Sequence, residues 1–292
     1  MTEAFAFTET DRTKSKWVAR VYHDFVMETG RSRTTLRGLF YFALQRAVSD
    51  YPICGGFVGE IRITRPYHEN DGEKLAKWMK KARTLGYIPA DAILEDKPGE
   101  HVFLPKASSF GPQCIEVWLN KSATSPLLHP VCEKHAVALV FVNGRASQEA
   151  ISDLLQRCSS PTTILCLSDL SQENAFFAQD LEEDIEKSRL RANGVKIRVK
   201  SIGLSPEQIL ELKIPMIRAN SKTKENKEYF KKYLKSFALD PKNMGEIDAL
   251  EVYYPGGIAT FLDKVLSGFA HNHNQDIETQ DLETNLDKKH DG

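Results

Sequence analysis

I-E-V-W-L-N-K at Ile115 to Lys121 and I-L-C-L-S-D-L-S at Ile164 to Ser171 are short apolar runs that open into polar residues at their C-terminal ends. Their length and apolar content read as buried strands. In an open α/β sheet the chemistry gathers outside the carboxyl ends of such strands, which places a site between Asn120 and Asp169. Strand and helix alternate around these two runs: Cys114 to Leu119, Leu127 to His135, Ala138 to Val142, Gln148 to Arg157, Thr163 to Leu167, Phe176 to Ala192 and Lys196 to Ile202. That alternation implies parallel strands with right-handed crossovers, a small doubly wound, Rossmann-like sheet. Ser205-Pro206-Glu207-Gln208 then opens a helix with a cap and a proline in its first turn. A lysine-rich segment, Gly245 to Leu250 and a last helix near Ile258 to Phe269 complete the pattern.

Upstream, Trp17, Val21, Phe25 and Val26 recur at helical spacing before a stop at Gly30. Thr34 and Thr35 offer caps to a helix through Leu36, Leu39, Phe40, Ala43 and Leu44 that ends near Asp50-Tyr51-Pro52. A loop or short hairpin carrying Gly55, Gly56 and Gly59 follows. Glu73 to Leu85 is a third helix, with Leu75, Trp78, Met79 and Ala82 inward, Lys74, Lys77 and Lys81 outward, and Gly86 as its stop. The extended piece Y-I-P-A-D-A-I-L-E-D after it suits the wing of a winged helix-turn-helix. Three regions are therefore expected: a helical, winged-helix-like, nucleic-acid-facing domain over 1–106, an α/β domain over 112–270 and a disordered acidic tail over 271–292.

A chain of 292 residues, 41% hydrophobic and 27% charged, is long enough for two domains and has the composition of a soluble globular protein. No apolar run reaches the roughly 20 residues of a membrane span, and the N-terminus lacks the basic and apolar regions of a secretory signal, so the cytoplasm is expected. The 5 cysteines show no paired spacing and the 8 histidines no zinc pattern, so a reduced, zinc-free protein is expected. Formal charge is only −1, but Lys74 to Arg83 and Arg218 to Lys235 are basic and Asp276 to Asp291 acidic.

L-R-G-L-F-Y at Leu36 to Tyr41 is similar to the arginine-x-x-[Phe/Tyr]-Tyr helix of the type IIB topoisomerase A subunit and the meiotic double-strand-break transesterase. E-K-L-A-K-W-M-K-K-A-R-T-L-G-Y-I-P-A-D-A-I-L-E-D at Glu73 to Asp96 resembles the helix and wing of small A-subunit-only members. G-E-I-D-A-L at Gly245 to Leu250 resembles a signature near their C-termini. The two strand runs resemble a Toprim domain, whose first strand delivers a glutamate before lysine or glycine and whose later strand delivers Asp-x-Asp. The resemblance covers roughly Leu36 to Phe269. It implies a Toprim-type α/β domain, double-stranded DNA as partner, a homodimer, an ATPase B-type subunit as a further partner, Mg²⁺ as cofactor and, in a prokaryote, association with the nucleoid.

The resemblance assigns roles residue by residue. Tyr41 matches the tyrosine that attacks a DNA phosphate, and Arg37 on the same helical stripe would hold that phosphate. A buried core tyrosine is the alternative reading of Tyr41. Asn120 stands where the family has its glutamate and Ser171 where it has its second aspartate. Of the three metal ligands only Asp169 is kept. Glu173 is the nearest replacement, whereas Glu116 lies about 13 Å back along the strand. The expected result is a DNA-cleavage scaffold with a degenerate metal site, an active transesterase or a regulatory subunit being the alternatives. Lys121 keeps the family's lysine, to contact phosphate or to sit at the surface. Arg145, in Asn143-Gly144-Arg145 before a helix, favours an anion. Lys74, Lys77, Lys80, Lys81 and Arg83 form either a solvated face or a DNA face, as do Lys222, Lys224, Lys227, Lys231, Lys232 and Lys235.

Overall fold

The computed structural model describes residues 7–46, 51–58, 60–106, 114–189, 195–219 and 227–269. Helix α1 (Glu9–Thr29) starts at a Thr8/Asp11 capping box and ends at Gly30, whose φ of 68° supplies the left-handed turn a side chain disfavours. Strand β1 (Thr34–Thr35) leads into α2 (Leu36–Gln45), with Thr35 accepting from the Gly38 amide as the cap. The hairpin between the helices is β2 (Ile53–Val58) and β3 (Ile61–Arg65), and α3 (Gly72–Thr84) follows. Val18, Val21 and Phe25 of α1, Leu39 and Phe42 of α2, and Leu75 and Met79 of α3 are all buried in one core.

The extended piece after α3 differs from a projecting wing. Its strand β4 (Ile93–Leu94) is buried and pairs in parallel with β1, and Ile93 joins the apolar core that holds α2. The hairpin of this region lies before α3, at β2 and β3. Helix α2 also ends earlier than expected, at Gln45, and Gly59 lies outside the described residues.

The central sheet comprises β5 (His101–Phe103), β6 (Cys114–Leu119), β7 (Ala138–Phe141), β8 (Thr162–Leu167) and β9 (Ile197–Gly203). Their order is β5-β7-β6-β8-β9, with β6 to β9 parallel and β5 antiparallel at the edge. Helices α4 (Ser125–Lys134), α5 (Gln148–Arg157) and α6 (Phe177–Arg189) are the crossovers. After the edge strand β5, the parallel part of the sheet starts at β6, moves out to β7 and returns past β6 to β8. The strand order therefore reverses between β6 and β8, the switch point at which doubly wound sheets bind ligands.

Alternate residues of each strand feed two cores. Trp118, Val140, Ile164 and Cys166 pack with Ile151 of α5 and Leu181 of α6 on one face. Val117, Leu119, Leu139, Leu165 and Leu167 share the other face with the N-terminal helices. The boundary expected between 106 and 112 is thus bridged. Residues 101–103 already belong to the sheet, and a single apolar core runs from α1 and α2 into the strands. The four cysteines with described side chains are not joined to one another, and three of them are buried.

The C-terminal part folds back on this core. It contains α7 (Pro206–Leu212), β10 (Ile217–Arg218), α8 (Lys227–Ser236), β11 (Asn243–Met244), a 3₁₀ turn at Ile247–Ala249, α9 (Leu250–Tyr253) and α10 at 257–269. The expected tail at 271–292 lies outside the described residues.

Candidate functional site

Two features build the site at the switch point. Beyond β8, Leu170 and Gly245 exchange amide hydrogen bonds of 2.8 and 3.0 Å in an isolated antiparallel bridge. A Cβ at Gly245 would lie 2.5 Å from Ile209 Cδ1 and 3.0 Å from Leu204 Cδ2, so any side chain here would have to displace the ends of these two buried residues. The bridge lays Glu246, Ile247 and Asp248 against the end of β8, and the Ile247 amide donates to Asp169 Oδ1 at 2.8 Å. The second feature is the Thr35 hydroxyl, which accepts from Gly38 and donates to Asp248, tying the start of α2 to the same point.

Lys121, just past the end of β6, extends into this junction. Its Nζ lies 3.7 Å from Asp169 Oδ2, 3.6 Å from Glu246 Oε1 and in contact with Asp248 Oδ2. Arg37 closes the other side of Glu246, with Nε and Nη2 at 2.6 and 2.5 Å from Oε2. Burial works against the lysine's charge, but Asp248, Asp169 and Glu246 outweigh it and hold the ammonium well above the usual lysine range. Asp169 moves the other way to the usual paired carboxylate: burial pushes it up to about 6, more than Lys121 pulls it down. Three carboxylates thus face two cations, with one negative charge in excess.

Tyr41, one turn beyond Arg37 on α2, is fully buried. Its ring stands edge-on to Phe40 and Tyr253, with the Arg37 guanidinium 5.5 Å from its centroid, and its hydroxyl has no hydrogen-bond partner among the described residues. Burial first, then the Glu246 carboxylate, raise its pKa well above the tyrosine range, despite the opposing pull of Arg37. In this conformation it is a protonated core phenol that shares the field of the acidic cluster. Its burial matches the core reading of Tyr41 drawn from the sequence, and its ring lies beside the Arg37 guanidinium.

Magnesium requires an octahedral shell of oxygens, of which carboxylates supply one or two. Asp169, Glu246 and Asp248 have the right chemistry, but Lys121 lies among all three and Arg37 occupies one oxygen of Glu246. As arranged, these residues do not fit the ion, and among the described residues no group of His, Cys, Asp or Glu is disposed to hold a metal.

Several expected residues take other roles. Asn120 follows the end of β6, half-buried, and its Oδ1 has no hydrogen-bond partner among the described residues. The Ser171 hydroxyl accepts from the Asn174 amide and so serves its own turn. Glu173 is exposed on that turn, and the partners of Asp169 come instead from Glu246 and Asp248, 77 and 79 residues further along. Glu116 bonds Trp118 Nε1 at 2.9 Å and Arg157 at 3.2 Å on the opposite face of the sheet. Arg145 is not free for an anion, because its guanidinium bonds both oxygens of Asp184 on α6. The anion at the start of α5 is the chain's own Glu100, which accepts from the Ser147 amide and hydroxyl.

On α3 the basic cluster divides. Lys74 pairs with Asp71, Lys81 with Asp11 and Arg83 with Glu95. Lys77 and Lys80 are exposed and have no ion-pair partner among the described residues. A groove of about 590 Å³ beside them is lined by Leu36, Ala76, Met79, Lys80, Arg83 and Ile93, and holds none of the acidic cluster. Lys232 and Lys235 of α8 are also exposed, whereas Lys222 and Lys224 lie outside the described residues.

In comparisons with known proteins, no family model and no curated relative matches the chain. Among the described residues no helix is long and apolar enough to cross a membrane.

Proposed function

We propose that this protein binds double-stranded DNA as a relative of the type IIB topoisomerase A subunits, and that it does not cleave it. The order α2, hairpin, α3 before a mainly parallel sheet is compatible with a winged-helix-like unit preceding a Toprim-type domain. The exposed Lys77 and Lys80 on α3 supply the phosphate-facing charge.

One observation carries the loss of cleavage: Lys121 sits among the three carboxylates that a metal would need. With one negative charge in excess, the cluster repels a phosphate, and the phenol that would attack it is buried and protonated. A second copy of the chain is the partner implied first, and an ATPase B-type subunit the next; a nucleoid location follows from DNA binding in a prokaryote.

The second reading, an active tyrosine transesterase, is favoured by the convergence of Tyr41, Arg37 and three acids at one point. It needs α2 to swing Tyr41 out and Lys121 to leave the carboxylates. Supercoiled plasmid incubated with wild type and Tyr41→Phe separates the two. Covalent protein–DNA adducts formed by wild type alone establish the second reading, and salt-dependent binding without strand breaks establishes the first. Mass in solution tests the dimer, which a monomer at all concentrations excludes.

A further inference from the structure

Asp169 leaves the end of β8, and Glu246 and Asp248 leave the segment bridged to it. Their carboxylates converge on one point, the Nζ of Lys121. Carboxylates from separate segments meeting at one cation are the donor chemistry of hard divalent ions. An ammonium fixed to the end of β6 fills that place here.

We propose that Lys121 is a built-in replacement for a divalent cation, and that removing it uncovers a Mg²⁺ or Mn²⁺ site made by Asp169, Glu246 and Asp248. Charge decides the case. With Lys121 absent, a divalent ion and Arg37 balance the three carboxylates, whereas with Lys121 present the same ion leaves an excess positive charge in a buried place. Oxygen donors are also in surplus. The Tyr41 hydroxyl, in the field of the cluster, and Asn120 Oδ1, beside Lys121 in the chain, are buried without hydrogen-bond partners among the described residues.

This inference deepens the reading of a scaffold without cleavage, but its test uses no DNA. Wild type, Lys121→Ala and Lys121→Ala/Asp248→Asn are titrated with Mn²⁺, with the loss of the free-ion paramagnetic signal counting ions and thermal melting reporting stability. Lys121→Ala should take up one Mn²⁺ per chain and melt at least about 4 °C higher with saturating metal than with chelator. Wild type and the double variant should do neither. A Lys121→Ala chain that is unfolded in chelator should fold when Mn²⁺ or Mg²⁺ is added. Uptake of a stoichiometric ion by wild type that is lost in Asp248→Asn overturns the proposal. So does a Lys121→Ala chain that ignores the metal, whether folded or not. Either result leaves DNA binding to be judged by its own assay.

Discussion

Replacing Lys121 by methionine keeps the aliphatic stem and removes the charge, leaving Asp169, Glu246 and Asp248 opposed only by Arg37. Removing one partner of a buried ion pair costs about 3–5 kcal/mol, since the remaining charges stay desolvated. For a chain of this size that corresponds to a fall in Tm of roughly 10 °C. The loss should depend on pH in a definite direction. Asp169 has a folded pKa of about 6 against 3.8 for an aspartate in the unfolded chain, so the native state gains a proton before the unfolded state as pH falls. Its charge therefore costs stability as pH rises through the window from 3.8 to about 6. Without Lys121 the carboxyl loses its main attraction, and the window extends upward. Urea denaturation followed by circular dichroism should give the full deficit at pH 7.5 and a clearly smaller one at pH 5, where Asp169 is protonated in both proteins. A deficit under about 1 kcal/mol at pH 7.5, or one equal at both pH values, refutes the reasoning.

Tyr41→Phe removes a buried hydroxyl that has no hydrogen-bond partner among the described residues, so stability should be unchanged or higher by up to about 1 kcal/mol in the same denaturation assay. Asp71, buried between Arg65 and Lys74, has its pKa lowered to about 2 by Arg65 and then Lys74, which overcome the opposing effect of burial. Its stabilisation is complete above the unfolded value and disappears as pH falls through the folded one. Asp71→Asn should cost about 2 kcal/mol at pH 7 and almost nothing near pH 2, as read from melting across that range. The pair Lys77→Glu and Lys80→Glu should leave stability intact, weaken DNA binding and flatten the slope of log affinity against log salt by about 2 in gel-shift titrations.

The sheet was legible because its strands are continuous apolar runs between amphipathic helices: Gln148–Arg157 falls where its periodicity places it, and β6 and β8 end at the polar residues that mark the site. His101–Phe103 was not, since a three-residue strand with two exposed positions has no period to detect and is fixed only by pairing with β7. The location of the site was legible too, but not its composition. Glu246 and Asp248 join Asp169 through a bridge between Leu170 and Gly245, and Asp248 meets Thr35 across 213 residues of chain. Nothing local encodes such contacts. The available signal was two acids set among Ile247, Ala249 and Leu250, a pattern in which carboxylates must be buried and therefore paired. Lys121 misleads for the converse reason, because a strand-end lysine is ordinarily solvated and only the acids brought from elsewhere hold this one inside.

The most direct test of the central claim is supercoiled plasmid incubated in Mg²⁺ and in Mn²⁺ with wild type beside Tyr41→Phe, with binding scored in parallel across a salt series. The account predicts that both proteins bind plasmid alike, that binding weakens steeply with salt, and that the DNA stays intact and free of covalent protein. Nicked or linear DNA joined to wild type but not to Tyr41→Phe contradicts the loss of cleavage, and binding that is absent or indifferent to salt contradicts the DNA-binding role itself.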